Sequence, residues 1–318
     1  MHPHRYSRFI ALLLTLVILP LAGCLFRTPH PVQMRMSTAD LKEAALDQLV
    51  ESINANAAHL QSLAATVDID SSMLEQKKAR IKDNPQIRGY VRVRKPAMLR
   101  LIGLVPVLRT TALDMVSNGK TFELSIPSKN EFRVGSNQVV KPSPQPLENI
   151  RPQHIFDALL LKPVDTEAGE IAILEHDQEI VKDPKSHQDV LQPTYVVLVI
   201  AKNGTGYYLS RKIVFSRTDL LPHEQLIYDP QGQLTTHAHY ENFTDHGGMM
   251  FPDVISIQRP IEAYAITLSV VKLNLNEPFS DDQFVLARPP GSKLIDMDNK
   301  NDSAENQPVL RENSSKKP

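Results

Sequence analysis

The chain has 318 residues, enough for one large domain or two ordinary ones, and its 35 Lys and Arg nearly balance its 36 Asp and Glu. Because nucleic-acid binders normally carry a basic excess, this balance argues against a nucleic-acid partner. The single cysteine, Cys24, excludes a disulfide within the chain and a cysteine-based zinc cluster. With 42% hydrophobic residues the chain is expected to fold, and its 12 glycines argue against phosphate-cradling loops.

The N-terminus has the pattern of a secretory signal peptide. Arg5 and Arg8 precede an apolar run over residues 9–19, which Pro20 ends. A membrane-spanning helix needs about 20 apolar residues, so this shorter run predicts a signal peptide over residues 1–23.

Leu21-Ala22-Gly23-Cys24, at the end of that run, resembles the lipobox of bacterial lipoproteins. The resemblance implies cleavage before Cys24, a diacylglycerol in thioether linkage to its sulfur, and a further acyl chain such as palmitate on its amine. Two or three acyl chains anchor a protein stably to a membrane. The alternative is an ordinary signal sequence with a chance cysteine, which the position of the only cysteine disfavours.

The residue after that cysteine is Leu25 rather than Asp. In enteric lipoproteins an Asp at this place is typical of retention in the inner membrane. The resemblance therefore implies a lipid-anchored protein of the cell envelope, in the outer membrane and facing the periplasm. We expect residues 24–37 to form the lipidated tether and residues 38–291 the folded domain. Residues 292–318, dominated by Pro, Asn, Ser, Asp and Lys, are expected to be a disordered tail.

Two segments have the periodicity of amphipathic helices. The first is predicted over residues 40–60, where Asp40 and Glu43 form a candidate N-terminal cap pair. Its apolar stripe comprises Leu41, Ala45, Leu49, Ile53, Ala57 and Leu60. The second is predicted over residues 152–161, with Pro152 in its first turn. Its apolar face comprises Ile155, Phe156, Leu159 and Leu160.

Most of the remaining chain alternates between apolar and polar residues, as half-buried strands do. The alternating segments are 63–70, 87–94, 121–126, 195–200, 207–216, 225–229, 234–242, 254–258 and 264–274. Turn signals at Asn118-Gly119, Asn203-Gly204 and Asp229-Pro230-Gln231-Gly232 separate some of them. Strands joined by short turns predict an antiparallel sheet, and with the two helices they predict the α+β class.

This order of lipobox, helix and strands resembles the lipoprotein-localisation superfamily, which includes the carrier LolA and the outer-membrane receptor LolB. The motifs that carry the resemblance are Gly89–Pro96 with Met98–Leu101, Asp114–Lys120, Asp229–Gly232, and Phe284-Val285-Leu286 before Pro289-Pro290-Gly291, which is similar to the carriers' closing strand. The resemblance implies a strongly curved antiparallel sheet, or half-barrel, with the N-terminal helix and the short internal helix as a lid. Residues 162–193 exceed a minimal carrier and are expected to form an added hairpin.

The resemblance also implies a function. An apolar cavity in the half-barrel would bind lipid or an acylated lipoprotein, for delivery to the outer membrane, with a periplasmic carrier protein as a partner. Transfer of an acyl chain from water contributes about 0.8 kcal/mol per CH₂. Two alternatives stay open at this point. In the first, the helices fill the space inside the half-barrel completely and leave no cavity. In the second, the half-barrel is an envelope scaffold or a stress-sensing interaction module without a ligand.

Residues 101–108 are almost entirely apolar, and Pro106 argues against an ordinary central strand. The segment lies where LolB carries a protruding apolar loop, with Arg100 and Arg109 on either side to meet lipid headgroups or solvent. The residues that the resemblance implies for contact with lipid or membrane are Leu104, Val105, Val107 and Leu108. The alternative is an edge or bulge buried under the helices.

The segment from 237 to 246 contains the candidate metal ligands. They are His237, His239, Glu241, Asp245 and His246. Imidazoles on one face of a strand can bind zinc, but here that face is the more polar one, which favours solvated side chains. The sequence has no Gly-x-Ser-x-Gly elbow and no arguable nucleophile–base pair. We therefore predict that the protein is not an enzyme, has no catalytic residues, and uses no metal or cofactor.

Overall fold

The structure is a computed structural model that describes residues 34–75, 80–138, 146–183 and 186–298. These residues form two α-helices, α1 (Leu46–His59) and α2 (Pro152–Leu159). They also form the strands β1 (Arg35–Met36), β2 (Ser62–Glu75), β3 (Arg80–Asp83), β4 (Ile87–Arg94), β5 (Met98–Leu104), β6 (Thr111–Ser117), β7 (Thr121–Ile126), β8 (Glu131–Ser136), β9 (Ile171–Lys182), β10 (Asp189–Asn203), β11 (Gly206–Ser216), β12 (Pro222–Tyr228), β13 (Leu234–Asp245), β14 (Met250–Arg259), β15 (Tyr264–Leu275) and β16 (Lys293–Asp296). Within these ranges neither helix combines the length and hydrophobicity needed to cross a bilayer.

The chain divides into two compact units. The smaller unit contains, of the described residues, 34–37, 180–183 and 186–192. In it β1 pairs in parallel with the start of β10 at Val190 and Leu191. The amide of Ser37 donates to the Leu191 carbonyl at 2.7 Å. Residues 35–36, which the sequence assigned to the tether, are therefore paired with a strand.

The larger unit contains an open sheet with the strand order β10-β11-β12-β13-β14-β15-β2-β4-β5-β6-β7-β8-β16. Neighbouring strands are antiparallel except β8 and β16, which are parallel. β3 pairs with β2, and β9 pairs with β10 as the hairpin expected for residues 162–193. The α+β class with an open half-barrel is confirmed.

The sheet curves around α2. This helix contacts β14 at one side and β5 and β6 at the other. In the strand order β14 and β6 are five steps apart, which in a flat sheet is about 24 Å. A helix is only about 10–12 Å wide with its side chains, so it contacts both strands because the sheet bends round it.

Two apolar clusters fill the concave face of the sheet. The alternating residues of β2 predicted to be buried, 63, 65, 67 and 69, join those of α2 in the first cluster. The second cluster packs α1 against β10 and β11, through Leu49, Ile53, Tyr195, Val197, Val199, Ile213 and Phe215. Each helix therefore covers a different part of the same face.

The start of α1 differs from the prediction. The helix begins at Leu46 rather than near Asp40, and the side chain of Gln48 accepts a hydrogen bond from the backbone N–H of Ala45 at 2.9 Å. The predicted cap pair of Asp40 and Glu43 does not form a cap, because the chain there is not helical and Lys42 donates its amide to the Arg217 carbonyl. The second helix agrees with its prediction to within two residues.

The C-terminal segment lies across the outer face of β4 and β5. Arg94 donates to the Phe279 carbonyl at 2.6 Å, and Arg100 donates to the Gln283 carbonyl at 3.1 Å. The closing strand expected at residues 284–286 is absent there. A 3₁₀ turn ends at 284, and the pairing strand is β16, at the start of the segment expected to be a disordered tail.

Candidate functional site

The first candidate site is an apolar groove between the helix ends and the β13–β14 hairpin, here called the hairpin groove. It holds about 640 Å³ of empty space, counted out to its open mouth. Its lining consists of Asn56, Ala57, Leu60, Lys95, Ala158, Leu159, Leu160, Leu161, Leu221, Pro222, Tyr240, Phe243, Met249, Met250, Phe251, Pro252 and Ile255. Lys95 is the one charged residue among them.

A second groove, here called the helix groove, lies between α1 and the end of α2. It holds about 1000 Å³, again counted out to its mouth. Its lining consists of Asn54, Ala57, Ala58, Gln61, Lys95, Pro96, Phe156, Leu160, Leu161, Lys162 and Pro163. The two grooves share Ala57, Lys95, Leu160 and Leu161. They are therefore neighbours on either side of a common wall.

The grooves exist because α1 and α2 cover different strands and converge without filling the space between their ends. Asn54 of α1 joins the chain that leaves α2, accepting from the amide of Val164 at 2.7 Å and donating to its carbonyl at 3.2 Å. This double hydrogen bond holds the helix groove's two sides together. Between the helix ends the described residues therefore leave open grooves, whereas the rest of the face is packed.

The floor of the hairpin groove has its polar atoms paired. The Tyr240 hydroxyl donates to the Ala158 carbonyl at 2.9 Å, and Gln225, outside the groove lining, donates to the Asp157 carbonyl at 3.2 Å. These bonds satisfy carbonyls at the end of α2 that have no partner within the helix. Burial raises the pKa of Tyr240, so the floor is uncharged at neutral pH. What remains exposed there is mainly hydrocarbon.

The loop between β5 and β6 is the second candidate site. Val107 is 96% exposed and Leu108 is 73% exposed, whereas Leu104 ends β5 half-buried and Val105 is half-buried beside it. The amide of Val105 donates to the Thr110 carbonyl at 2.8 Å, which closes the loop. The structure therefore brings two of the four predicted contact residues fully into solvent, and for these two a buried edge is excluded.

The flanking arginines differ from one another. Arg100 donates through Nε and Nη2 to the Asp114 carboxylate at 3.1 and 2.7 Å, so it is committed to the outer face of the sheet. Arg109 is exposed within the loop and has a φ of 53°. Val107 has a φ of 67°, a left-handed conformation that is costly for a β-branched residue.

The grooves and the loop lie at opposite ends of the sheet. Lys95 is in the turn that follows the Arg94–Met98 pair, and the loop follows the Arg88–Leu104 pair. Six residues of β4 separate the two pairs, which corresponds to about 20 Å along the strand. A ligand in the grooves and a surface at the loop would therefore be bound independently.

The histidine segment forms an ion-pair cluster on the outer face. Glu224 Oε1 is 3.5 Å from both His237 Nε2 and His239 Nδ1. The two nearby imidazoles lower the pKa of Glu224 to about 2, and the same carboxylate raises the pKa of His239. His246 lies elsewhere, in the β13–β14 turn, with Nε2 2.8 Å from the Thr244 hydroxyl. Across the described ranges no group of three or more His, Cys, Asp or Glu is placed to hold a metal ion.

The resemblance implied an apolar cavity, but the sequence did not indicate which residues line it, and it did not indicate Lys95. The groove lining comes from α1, the β4–β5 turn, α2, the chain before β12, and the β13–β14 hairpin. Lys95 stands before Pro96 in a motif that was noted only for its strand pattern. The lipidation residue predicted from the sequence, Cys24, lies outside the described residues, as do the signal peptide and residues 299–318.

Comparison with known proteins gives resemblance in structure alone. No protein-family model and no curated protein matches the chain. A LolA superfamily protein from Nitrosomonas europaea is 14% identical over 77% of this chain and 99% of its own, with a TM-score of 0.46. The chain is similar in fold to this LolA superfamily protein.

Two further solved structures are similar. A putative outer membrane lipoprotein-sorting protein domain from Vibrio parahaemolyticus is 10% identical over 74% of this chain and 94% of its own, with a TM-score of 0.43. MucB is 14% identical over 76% of this chain and 62% of its own, with a TM-score of 0.26. MucB has also been solved in complex with MucA, from Pseudomonas aeruginosa.

Proposed function

We propose that this protein is a lipid-anchored, periplasm-facing lipoprotein that binds an acyl chain, from a lipid or an acylated protein, in the hairpin groove. The observation that carries the proposal is an apolar groove left open on the concave face, where the rest of that face is packed. Each CH₂ moved from water into such a groove contributes about 0.8 kcal/mol before the cost of immobilising the chain. Hydrocarbon walls suit a hydrocarbon chain, and Lys95 is the one charged residue among them.

The anchor and the loop extend the proposal to the membrane. By its resemblance to a lipobox, Cys24 carries the acyl chains, and Leu25 supports placement in the outer membrane. The exposed pair Val107 and Leu108 gives a second contact, because apolar side chains on a loop tip can enter a bilayer. A groove at one end and a membrane contact at the other suit a receptor that accepts an acylated cargo from a periplasmic carrier and delivers it to the outer membrane.

The test uses the full-length chain with Cys24→Ser, so that no anchor lipid competes for the groove. Native mass spectrometry and solvent extraction are expected to find bound molecules with the mass of an acyl lipid. Met250→Asp places a carboxylate at a groove position that is 42% exposed, and is expected to remove these adducts without unfolding the chain.

Ile81→Asp is the matched control, because Ile81 is 71% exposed on β3 and lines neither groove. It is expected to keep the adducts. The proposal is wrong if the unaltered groove carries no adduct and also fails to bind added decanoate.

The exposed loop also supports a second candidate function. Val107 and Leu108 present the same apolar surface to a protein as to a bilayer, so the chain would serve as an envelope scaffold or stress-sensing module. An empty groove together with a stable, loop-dependent protein partner would favour this function over acyl binding.

A further inference from the structure

Lys95 occupies an unusual place for a charged residue. It lies in the β4–β5 turn, and its side chain forms part of the wall of both grooves. Its neighbours in that shared wall are Ala57, Leu160 and Leu161, which are apolar. A cation is therefore set among hydrocarbon, at the place where the two grooves meet.

The ammonium group has a single hydrogen-bond partner in the described part of the chain. Nζ donates to the carbonyl of Ala57, in the last turn of α1. No described carboxylate lies within 4 Å of it. Two buried cations of this protein are paired with carboxylates, Arg211 with Glu170 at 2.9 Å and Arg259 with Glu262 at 2.6 Å. Buried Arg151 instead donates to three backbone carbonyls. Charges away from water are normally paired or fully hydrogen-bonded, whereas half-buried Lys95 has one carbonyl partner for its ammonium group.

Burial lowers the pKa of Lys95, which shows that its surroundings disfavour the charge. A lysine ammonium carries three N–H donors, and the Ala57 carbonyl takes one. Two donors remain for a group that enters the grooves. An anion placed there would both pair the charge and accept these hydrogen bonds, whereas a neutral head would leave the charge unpaired.

We propose that Lys95 binds the anionic headgroup, a carboxylate or a phosphate, of a single-chain amphiphile whose acyl chain lies in the hairpin groove. The inference rests on the proposed acyl-binding function and names the class of ligand. Lys162, on the rim of the helix groove, is less suited to this role. It is 63% exposed, and Asp157 lies 3.5 Å from its ammonium group.

The experiment is isothermal titration calorimetry of the full-length chain, carrying Cys24→Ser, with decanoate, decyl phosphate and decanol. The three probes share one chain length and differ in the head. Decanoate, decyl phosphate or both are expected to bind about tenfold more tightly than decanol, since a hydrogen bond to a charged group outweighs one to a neutral group. Whichever anion binds more tightly identifies the head as that of a fatty acid or of a phosphate-bearing lipid.

Lys95→Gln keeps a donor for the Ala57 carbonyl and removes the charge. It is expected to lower the affinity for the anions about tenfold and to change that for decanol less than twofold. Lys162→Gln is the matched control and is expected to change all three affinities less than threefold. Lys95→Arg keeps the charge and is expected to retain a preference for the anions.

The outcomes separate the two proposals. If the unaltered protein binds decanoate, decyl phosphate and decanol equally well, or if Lys95→Gln weakens all three alike, Lys95 has only a structural role and the inference is overturned. If none of the three binds, the acyl-binding function itself fails. If Lys95→Gln does not fold, the inference is tested by whether the unaltered protein and Lys95→Arg both bind the anions more tightly than decanol.

Discussion

The two ends of the larger unit's sheet both present apolar side chains, but in opposite shapes. At one end the hairpin groove is concave, and hydrocarbon lines it on several sides with one cation in the wall. At the other end Val107 and Leu108 project from a loop tip with little around them. A concave surface encloses one narrow chain, whereas a projecting pair needs a broad apolar phase or a partner's pocket. Chemically similar residues therefore indicate different ligands because of where the fold places them.

The largest expected effect comes from the wall between the grooves. Leu160 is 2% exposed and lines both grooves, so Leu160→Ala is expected to lower the free energy of unfolding by about 3 kcal/mol. The substitution also joins the two grooves into a longer one. Urea denaturation measures the first effect, and titration with hexadecanoate against decanoate measures the second, in which the longer chain is expected to gain.

Leu99→Ala is the control for that experiment. Leu99 is fully buried in the same cluster as Leu160 but lines neither groove. Leu99→Ala is expected to lower the free energy of unfolding by a similar amount, with no change in chain-length preference. An equal change of preference in both variants would mean that loosening of the core, and not the wall, sets the length of the ligand.

The loop end gives the second effect. Val107→Asn removes an apolar side chain and is expected to weaken binding to phosphatidylethanolamine–phosphatidylglycerol vesicles about tenfold, because burying Val contributes roughly 1.5 kcal/mol or more. Asn tolerates a φ of 67° better than Val, so the same variant is expected to unfold at a higher temperature. Vesicle sedimentation and thermal unfolding give the two readouts.

Val271→Asn is the matched exposed substitution, made at a valine of β15 that is three strands from β5. It should leave vesicle binding within twofold of the unaltered protein. If the two variants weaken binding equally, the loop has no special role, and the contrast between the two ends is lost.

The smallest effect is expected at the ion-pair cluster, away from both ends. Glu224 has a pKa of about 2, below its ordinary 4.5. The contribution of its ionised carboxylate to the free energy of unfolding is therefore complete above pH 4.5 and is lost as the pH falls towards 2. His239 has a pKa raised above 6.5, so its contribution is full below pH 6.5 and lost as the pH rises through the raised value. The pair therefore stabilises most between these two limits.

Glu224→Gln is expected to lower stability by about 1 kcal/mol or less in that range, since His239 is more than one-third exposed. Thermal unfolding from pH 3 to 9 measures the difference, which should shrink at both extremes. Ligand binding in the grooves should not change. A constant difference across the whole range would show that the carboxylate acts by packing alone.

The alternation of β2 and the periodicity of α2 were readable because burial of one face imposes a local pattern on the sequence. The start of α1 was mispredicted because the Lys42 amide donates to the Arg217 carbonyl. The two residues are 175 positions apart, so no local pattern in the sequence records this contact. The linings of the two grooves could not be predicted for the same reason, since they come from distant segments of the sequence that meet only after folding. The apolar run over residues 101–108 was visible in the sequence. Whether its side chains are exposed depends on the tertiary fold, which a local pattern does not record.

The short strand β16 also has a consequence for how the chain is made. It pairs with β8, which among the described strands has one other neighbour, β7. Unpaired strand edges recruit other chains. Synthesis proceeds from the N-terminus, so β8 is complete about 160 residues before the strand that covers it, an interval of roughly 8–30 s at about 5–20 residues per second. During that interval this edge of β8 is open to pairing with another molecule.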